Sequence, residues 1–303
     1  MDPISDAFYA KDFKIAFLEK KGAAFQDWFA KLAGHAFGSD FEAVRPYGKQ
    51  GDWKCDGRLR SSGTIFQCYA PESMSDQNTI AKIDADLAGA VRKWPGFIKS
   101  WVFVHNDPRG VPPAVTRHLD KKRAQHPDLE IAIWSEADLV RLFEMISPDA
   151  KRLMFGVAPT QGTVHSISLS DLEPVISALK SREPDPSDDV PPPPSAQKLE
   201  KNSLSDEASA LLRFGRLKVR LVETYFSKNV CVDLGEKIAE AFRNRYAELQ
   251  ALGLSGDQIF SYIQKFAGVA GEPKRQAAAM AVVAYFFDQC DIFEDPDEEA
   301  VGT

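Results

Sequence analysis

Positive charge is in short supply in this sequence. Lys and Arg number 37 against 44 Asp and Glu, leaving −7 at pH 7. That balance excludes a globally basic nucleic-acid binder. It leaves room for a local basic patch, because the field at a cleft is set by nearby charges. Cysteine is scarce too: Cys55, Cys68, Cys231 and Cys290, with no CxxC spacing. Such residues read as reduced, buried, small apolar side chains of a cytosolic protein. The five histidines are scattered without an HExxH or a paired Cys/His pattern, so a structural zinc site is not expected. No apolar run is long enough to span a bilayer. The start, Met1-Asp-Pro-Ile-Ser-Asp, lacks a basic segment followed by an apolar one, and a cytoplasmic location is the expectation.

What is present suits a soluble chain of about two domains: 303 residues, 44% of them hydrophobic. Phe25, Trp28/Phe29, Leu32/Ala33 and Ala36 recur at helical spacing within residues 11–37, with Gly22 marking a break. Phe41-Glu-Ala-Val-Arg alternates as a strand does. Pro46 to Gly51 reads as a turn, and two further strands follow around Lys54–Leu59 and Thr64–Tyr69. Ile80, Ile83, Leu87 and Val91 form one stripe of a helix over 75–94. Ile98–Val104 and Leu129–Trp134 read as strands covered on both faces. Between them, Pro112 and Pro113 open a helix, where a missing N–H costs nothing. Ser135 caps the next helix. The predicted order is helix, three strands, helix, strand, helix, strand, helix: an α/β sandwich around one mixed sheet.

Residues 181–203 change character. Pro184, Pro186 and Pro191–Pro194 lie among Asp, Ser and Glu, a composition that buries no core and favours an extended linker. From 204 to 294 the pattern is helical throughout, with helices expected at 206–226, 234–252, about 258–267 and 273–289. Ser255 to Gln258 reads as a capping box, and Pro273 lies in a first turn. Short loops between four helices suggest a small bundle. The last helix, apolar nearly all round, is either the centre of that bundle or an oligomer contact. The domains are therefore read as 1–180, a linker at 181–203, and 204–303 ending in an acidic tail.

The stretch with most chemistry is Gly51-Asp-Trp-Lys-Cys-Asp-Gly57, followed by Thr64-Ile-Phe-Gln-Cys-Tyr69. Strand alternation puts Lys54 and Asp56 on one face, and Gln67 with Tyr69 on one face of the next strand. An acid, an amide and a base candidate then share a cleft of the kind in which oxygen ligands hold Mg²⁺ and water attacks phosphorus. Bland alternatives stand beside this. Asp56-Gly57 is also hairpin-turn chemistry, Gln67 also suits a backbone edge, and His105 suits a satisfied strand-end histidine.

These residues, with Phe25-Gln26 and Asp40 to Gly48, resemble the PD-(D/E)xK restriction-endonuclease-like superfamily, and within it the nuclease effectors of anti-phage systems. The C-terminal helices with Phe286 to Glu294 resemble the C-terminal module of ABC-three-component, or Lamassu-type, defence proteins. The resemblance implies a Mg²⁺- or Mn²⁺-dependent DNA endonuclease. Asp56 would then hold the metal, with Gln67 and the carbonyl of Cys68 as further ligands and Gln26 reaching it through water. The superfamily's lysine falls at Tyr69, a departure, and Lys54 is the candidate to replace its charge. The implied partners are DNA, an SMC-like ABC ATPase and a small third subunit, with self-association through the helical domain. The other reading is a catalytically inert adaptor that keeps the fold.

Overall fold

The computed structural model describes residues 2–44, 53–180, 202, 204–228, 234–254, 256–289 and 292–293. The turn after Arg45, Asp52, the linker apart from Asn202, and the acidic tail lie outside the described residues. By internal contacts the chain forms two units, 16–154 and 1–15 with 155–303. Both ends of the expected first domain, 1–15 and 155–180, count with the helical unit.

The first unit is built on one mixed five-stranded sheet, β1 (Phe41–Ala43), β2 (Gly57–Leu59), β3 (Thr64–Tyr69), β4 (Ser100–His105) and β5 (Glu130–Trp134), in that spatial order. β1, β2 and β3 run antiparallel, whereas β3, β4 and β5 run parallel. The parallel strands are joined by crossover helices, α3 (Asp76–Lys93) and α4 (Pro113–Gln125), and α5 (Glu136–Met145) follows β5. The element order agrees with the sequence pattern. Helix α1 covers Pro3–Glu19, earlier than the periodicity from residue 11 suggests, and α2 covers Gly22–Phe37.

Each face of the sheet has its own core, as a strand covered on both sides requires. On one side Phe66 packs against Phe29 of α2, Phe41 and Trp134, with ring centroids 5.3, 6.2 and 5.0 Å away. On the other, Ile65, Trp101, Phe103 and Ile131 meet Ile83, Leu87 and Ala90 of α3 and Val115 and Leu119 of α4. Ser75 accepts from the Asn78 amide to start α3, and a Ser135/Asp138 capping box starts α5.

After the short helix α6 (Pro148–Phe155), the second unit carries α7 (Gln161–His165), α8 (Leu169–Lys180), α9 (Asp206–Arg216), α10 (Val219–Lys228), α11 (Leu234–Ala251), α12 (Asp257–Phe266) and α13 (Pro273–Asp288). Most of α6 still counts with the sheet unit. The single helix expected over 206–226 is two helices. The amides of Leu217 and Lys218 bond three residues back, to Phe214 and Gly215, which tightens the turn and ends α9. Lys218 Nζ then donates to the carbonyls of His165 and Ile167 and fixes the bend. The expected capping box begins at Ser255, which lies outside the described residues; α12 itself follows Gly256, at φ 49° and with no side-chain capping bond. Helix α13 is the centre of the bundle: eleven of its side chains, from Gln276 to Phe287, are buried.

α9 packs tightly on α13 at Gly215. A Cβ there would stand 2.5 Å from the Met280 carbonyl oxygen and 2.7 Å from the Ala284 Cβ. Gly215→Val is therefore expected to force the two helices apart and lower stability by about 1–3 kcal/mol. Urea unfolding of the full chain measures it, and a midpoint equal to wild type would show that the pair has room to spare.

Candidate functional site

β2 and β3 separate just where the acid and the amide lie. Gly57 is the register partner of Phe66. The amide of Asp56 also donates to the Phe66 carbonyl, at 2.9 Å. Two successive residues of one strand thus address a single residue of its neighbour, the layout of a β-bulge, which re-aims a side chain and often lies beside functional sites. Gly57 has no room for a Cβ, because the Phe41 ring rests on it. Ahead of the bulge the chain leaves the sheet through Trp53 and Lys54, both in left-handed conformation at φ 54° and 60°. Non-glycine residues there cost free energy and persist only where the surroundings hold them.

Past Phe66, β3 has lost its β2 neighbour, and the Asp56 carboxylate takes the neighbour's place. Its Oδ2 accepts from the Cys68 amide at 2.6 Å and from Gln67 Nε2 at 2.8 Å. In a strand the N–H and C=O of one residue address the same edge, so the Cys68 carbonyl is directed to this opening as well. Asp56 is 9% exposed and Gln67 2%. Gln67 Oε1 is buried with no hydrogen-bond partner. A buried amide oxygen left unpaired costs about 1–3 kcal/mol and calls for an explanation. The Cys68 thiol is pushed well up, first by burial and then by the Asp56 charge, so it stays protonated and inert.

Lys54 is not where strand alternation puts it. Because β2 begins only at Gly57, Lys54 lies in the left-handed turn, and the parity that paired it with Asp56 does not apply. Its stem crosses Gly89 of α3, 2.5 Å from where a Cβ would stand there. Its ammonium reaches Asp86 of α3 at 3.0 Å. Tyr69 shares the Gln67 face of β3, but its ring is packed on Phe103, with centroids 5.7 Å apart. Gln26 is half-buried on α2, one turn before the Phe29 that packs on Phe66. Glu42 is paired across the sheet with Arg58 at 2.6 Å.

The sequence reading missed Asp86 and Lys82. Asp86 is fully buried and takes both Lys54 and, at 2.5 Å, Lys82 one turn earlier on α3. A signal was present: Asp86 stands three residues after Ile83 and one before Leu87, a charge on the flank of an apolar stripe, with a lysine at i−4.

His105 ends β4, 1% exposed, and its Nδ1 accepts from the Asp107 amide at 3.2 Å. Burial lowers its proton affinity, against the opposing pull of Asp107 and Asp138. The folded protein therefore keeps the ring neutral where the unfolded chain, titrating near 6.5, takes a proton. The stability gained from a neutral His105 is whole above about pH 6.5 and is lost as the pH falls below it. Urea titrations at descending pH are expected to show this slope, and His105→Gln to flatten it. An unchanged slope in that variant would assign the loss to other groups.

A hard divalent cation prefers oxygen donors. The Asp56 carboxylate, the orphan Gln67 Oε1 and the Cys68 carbonyl are of that kind, and they fit such an ion with a single negative charge among them. Among the described residues no group of three or more His, Cys, Asp or Glu side chains is arranged to hold a metal. No described helix is long and apolar enough to cross a membrane.

Compared with known proteins, no curated protein and no solved structure matches this chain. Residues 170–294 match the family model of C-terminal domain 10 of the ABC-three component systems. The matched segment begins at α8 and runs through α13 to Glu294. The match supports membership of this chain in an ABC-three-component system.

Proposed function

We propose that the chain is the nuclease effector of an ABC-three-component defence complex: a restriction-endonuclease-like domain that hydrolyses DNA phosphodiesters, carried by a helical domain that docks to an ABC ATPase of the SMC type. The observation that carries this reading is the buried Asp56–Gln67 pair at the opening between β2 and β3, with Gln67 Oε1 left without a partner. The order of helices and strands around the sheet and the C-terminal family match support it.

When bound, Mg²⁺ or Mn²⁺ would supply an activated water and a positive charge beside the phosphate. The chain's own residues do the rest. Asp56 presents the one carboxylate, held in direction by the Cys68 amide and by the Gln67 amide group. Gln67 Oε1 and the Cys68 carbonyl complete the donor set. The buried surroundings keep competing water from these atoms and raise the worth of each charge. Tyr69, committed to Phe103, brings no cation, and a site with one carboxylate binds its metal weakly. Assembly of several chains on one duplex would raise the local concentration of such sites without new contacts, a physical reason for control by oligomerisation after release from the ATPase.

The second reading, an inert adaptor, is favoured by the same scarcity of acidic ligands. Purified full-length protein incubated with plasmid and Mg²⁺ or Mn²⁺, alone and after forced oligomerisation, separates the two. Nicked or linear product supports the nuclease. Intact plasmid in every arrangement gives the adaptor.

A further inference from the structure

Trp53, Trp94 and Phe97 form a strip of rings at the rim of the sheet unit, with cations set among them. Trp53 meets Trp94 edge-on, centroids 5.6 Å apart, and Trp94 meets Phe97 at 5.8 Å. The Arg58 guanidinium lies 4.9 Å from the ring centres of both Trp94 and Phe97. The Lys93 ammonium lies 5.8 Å from the Trp53 ring centre. Both cations are within the reach of a cation–π attraction. Core packing explains part of the strip, because Trp94 and Phe97 are half-buried against the core under α3. It does not explain Trp53, which keeps 40% of its surface in solvent. A single exposed apolar side chain is ordinary. This one, however, stands in the left-handed region at φ 54°, which costs free energy. Trp94, the C-cap of α3, holds it there: its Nε1 donates to the Trp53 carbonyl at 3.2 Å.

The strip runs along the segment that carries the candidate site. Trp53 is three residues before Asp56, so their Cα atoms are at most about 11 Å apart. Arg58 is two residues after Asp56. Its register partner is Ile65, which shares the Gln67 face of β3. The side chains of Trp53 and Arg58 both reach Trp94. The chain on either side of Asp56 is thus tied to the same ring. An exposed indole recognises a base through its face, and every base has such a face. In a duplex those faces are covered by the neighbouring pairs, so only an unpaired base can stack on the strip. Cations interleaved with rings then follow the phosphates. Glu42 already pairs with Arg58 at 2.6 Å. The cation placed to take a phosphate beside Trp53 is Lys93, which lies with Arg92 in the last turn of α3.

We propose that this strip is a stacking platform for single-stranded DNA: the Trp53 indole stacks on an unpaired base, and Lys93 takes the adjoining phosphate. The platform holds a single strand next to the segment that carries Asp56. The choice of DNA rests on the reading of the Asp56–Gln67 site as a nuclease site. The selection of an unpaired strand rests on the rings alone.

The test is binding of a short fluorescein-labelled oligothymidylate to the full chain in EDTA, over a salt series, beside a duplex of the same length. Plasmid cleavage in Mn²⁺ is run in parallel. Trp53→Ala is expected to weaken binding of the single strand about tenfold, the scale of one lost stack, and to leave duplex binding unchanged. Trp53→Phe should restore most of the loss. Lys93→Gln should lower the log–log salt slope for the single strand by about 0.7. The platform is overturned if Trp53→Ala, folded by circular dichroism, binds the oligothymidylate as the wild type does. It is overturned equally if that variant loses single strand and duplex alike, or if the wild type does not bind the single strand. An oligouridylate bound more tightly than the oligothymidylate overturns the choice of DNA. Trp53-dependent binding in a protein that never cuts plasmid keeps the platform and removes the nuclease reading. Cleavage that depends on Asp56, with single-strand binding indifferent to Trp53, does the reverse.

Discussion

Asp56→Asn is expected to lower plasmid cleavage on the order of a hundredfold or more, the scale on which directly placed electrostatic groups act in catalysis. The substitution keeps the shape of the side chain, so an amide oxygen can still accept from the Cys68 amide, where Oδ2 now stands at 2.6 Å. What goes is the negative charge, the sole carboxylate of the donor set. Folding should therefore be nearly intact and activity absent. Asp56→Ala is a harsher change. It strands the Cys68 amide and the Gln67 amide group, each buried, at about 1–3 kcal/mol apiece. Cleavage and urea unfolding measured on both variants separate the two effects. An asparagine variant that cuts at the wild-type rate would end the assignment of Asp56.

The largest loss of stability is expected from Phe66→Ala, at about 3–5 kcal/mol. Phe66 is fully buried and is the common neighbour of Phe29, Phe41 and Trp134, so its removal opens a cavity lined by three rings that cannot collapse together. The same residue is the register partner of Gly57 and accepts from the Asp56 amide. Loosening it should release the bulge that aims Asp56. Equilibrium unfolding gives the first effect. Cleavage by the fraction that remains folded gives the second, and a fall in both is the expected outcome. A loss below about 1 kcal/mol would mean that the aromatic cluster repacks.

Much of the fold was legible because each element of the sheet unit satisfies its own local rule. The β4 run is apolar on both faces and is in fact covered on both, and the stripe Ile80, Ile83, Leu87, Val91 is the face that α3 buries. Proline and Ser135 stand at the helix starts where capping puts them. Legibility failed where a contact distant in sequence outweighs local preference. The break after Arg216 follows a tightened turn secured by a lysine on carbonyls some fifty residues earlier. The start of α12 uses a glycine, whose left-handed conformation no sequence rule for capping boxes anticipates. Helices α6 to α8 lay in a stretch the periodicity did not resolve.

The site divides in the same way. That Asp56 and Gln67 belong together follows from their places on two short extended segments joined by a tight turn, and such proximity is local. Where Lys54 points is not local. Strand parity holds only inside a strand, and here the ladder ends at Gly57, so the chain ahead of it obeys the turn and the pull of a buried carboxylate thirty-two residues on. The sequence alone determined the order of the elements, the mixed sheet and the pairing of acid with amide, because those depend on periodicity and on neighbours close along the chain. Only the tertiary structure decided that both lysines meet on Asp86 and that the Tyr69 ring packs on Phe103. Burial makes those choices, since an unpaired charge inside a protein draws its partner from whichever segment the fold brings within reach.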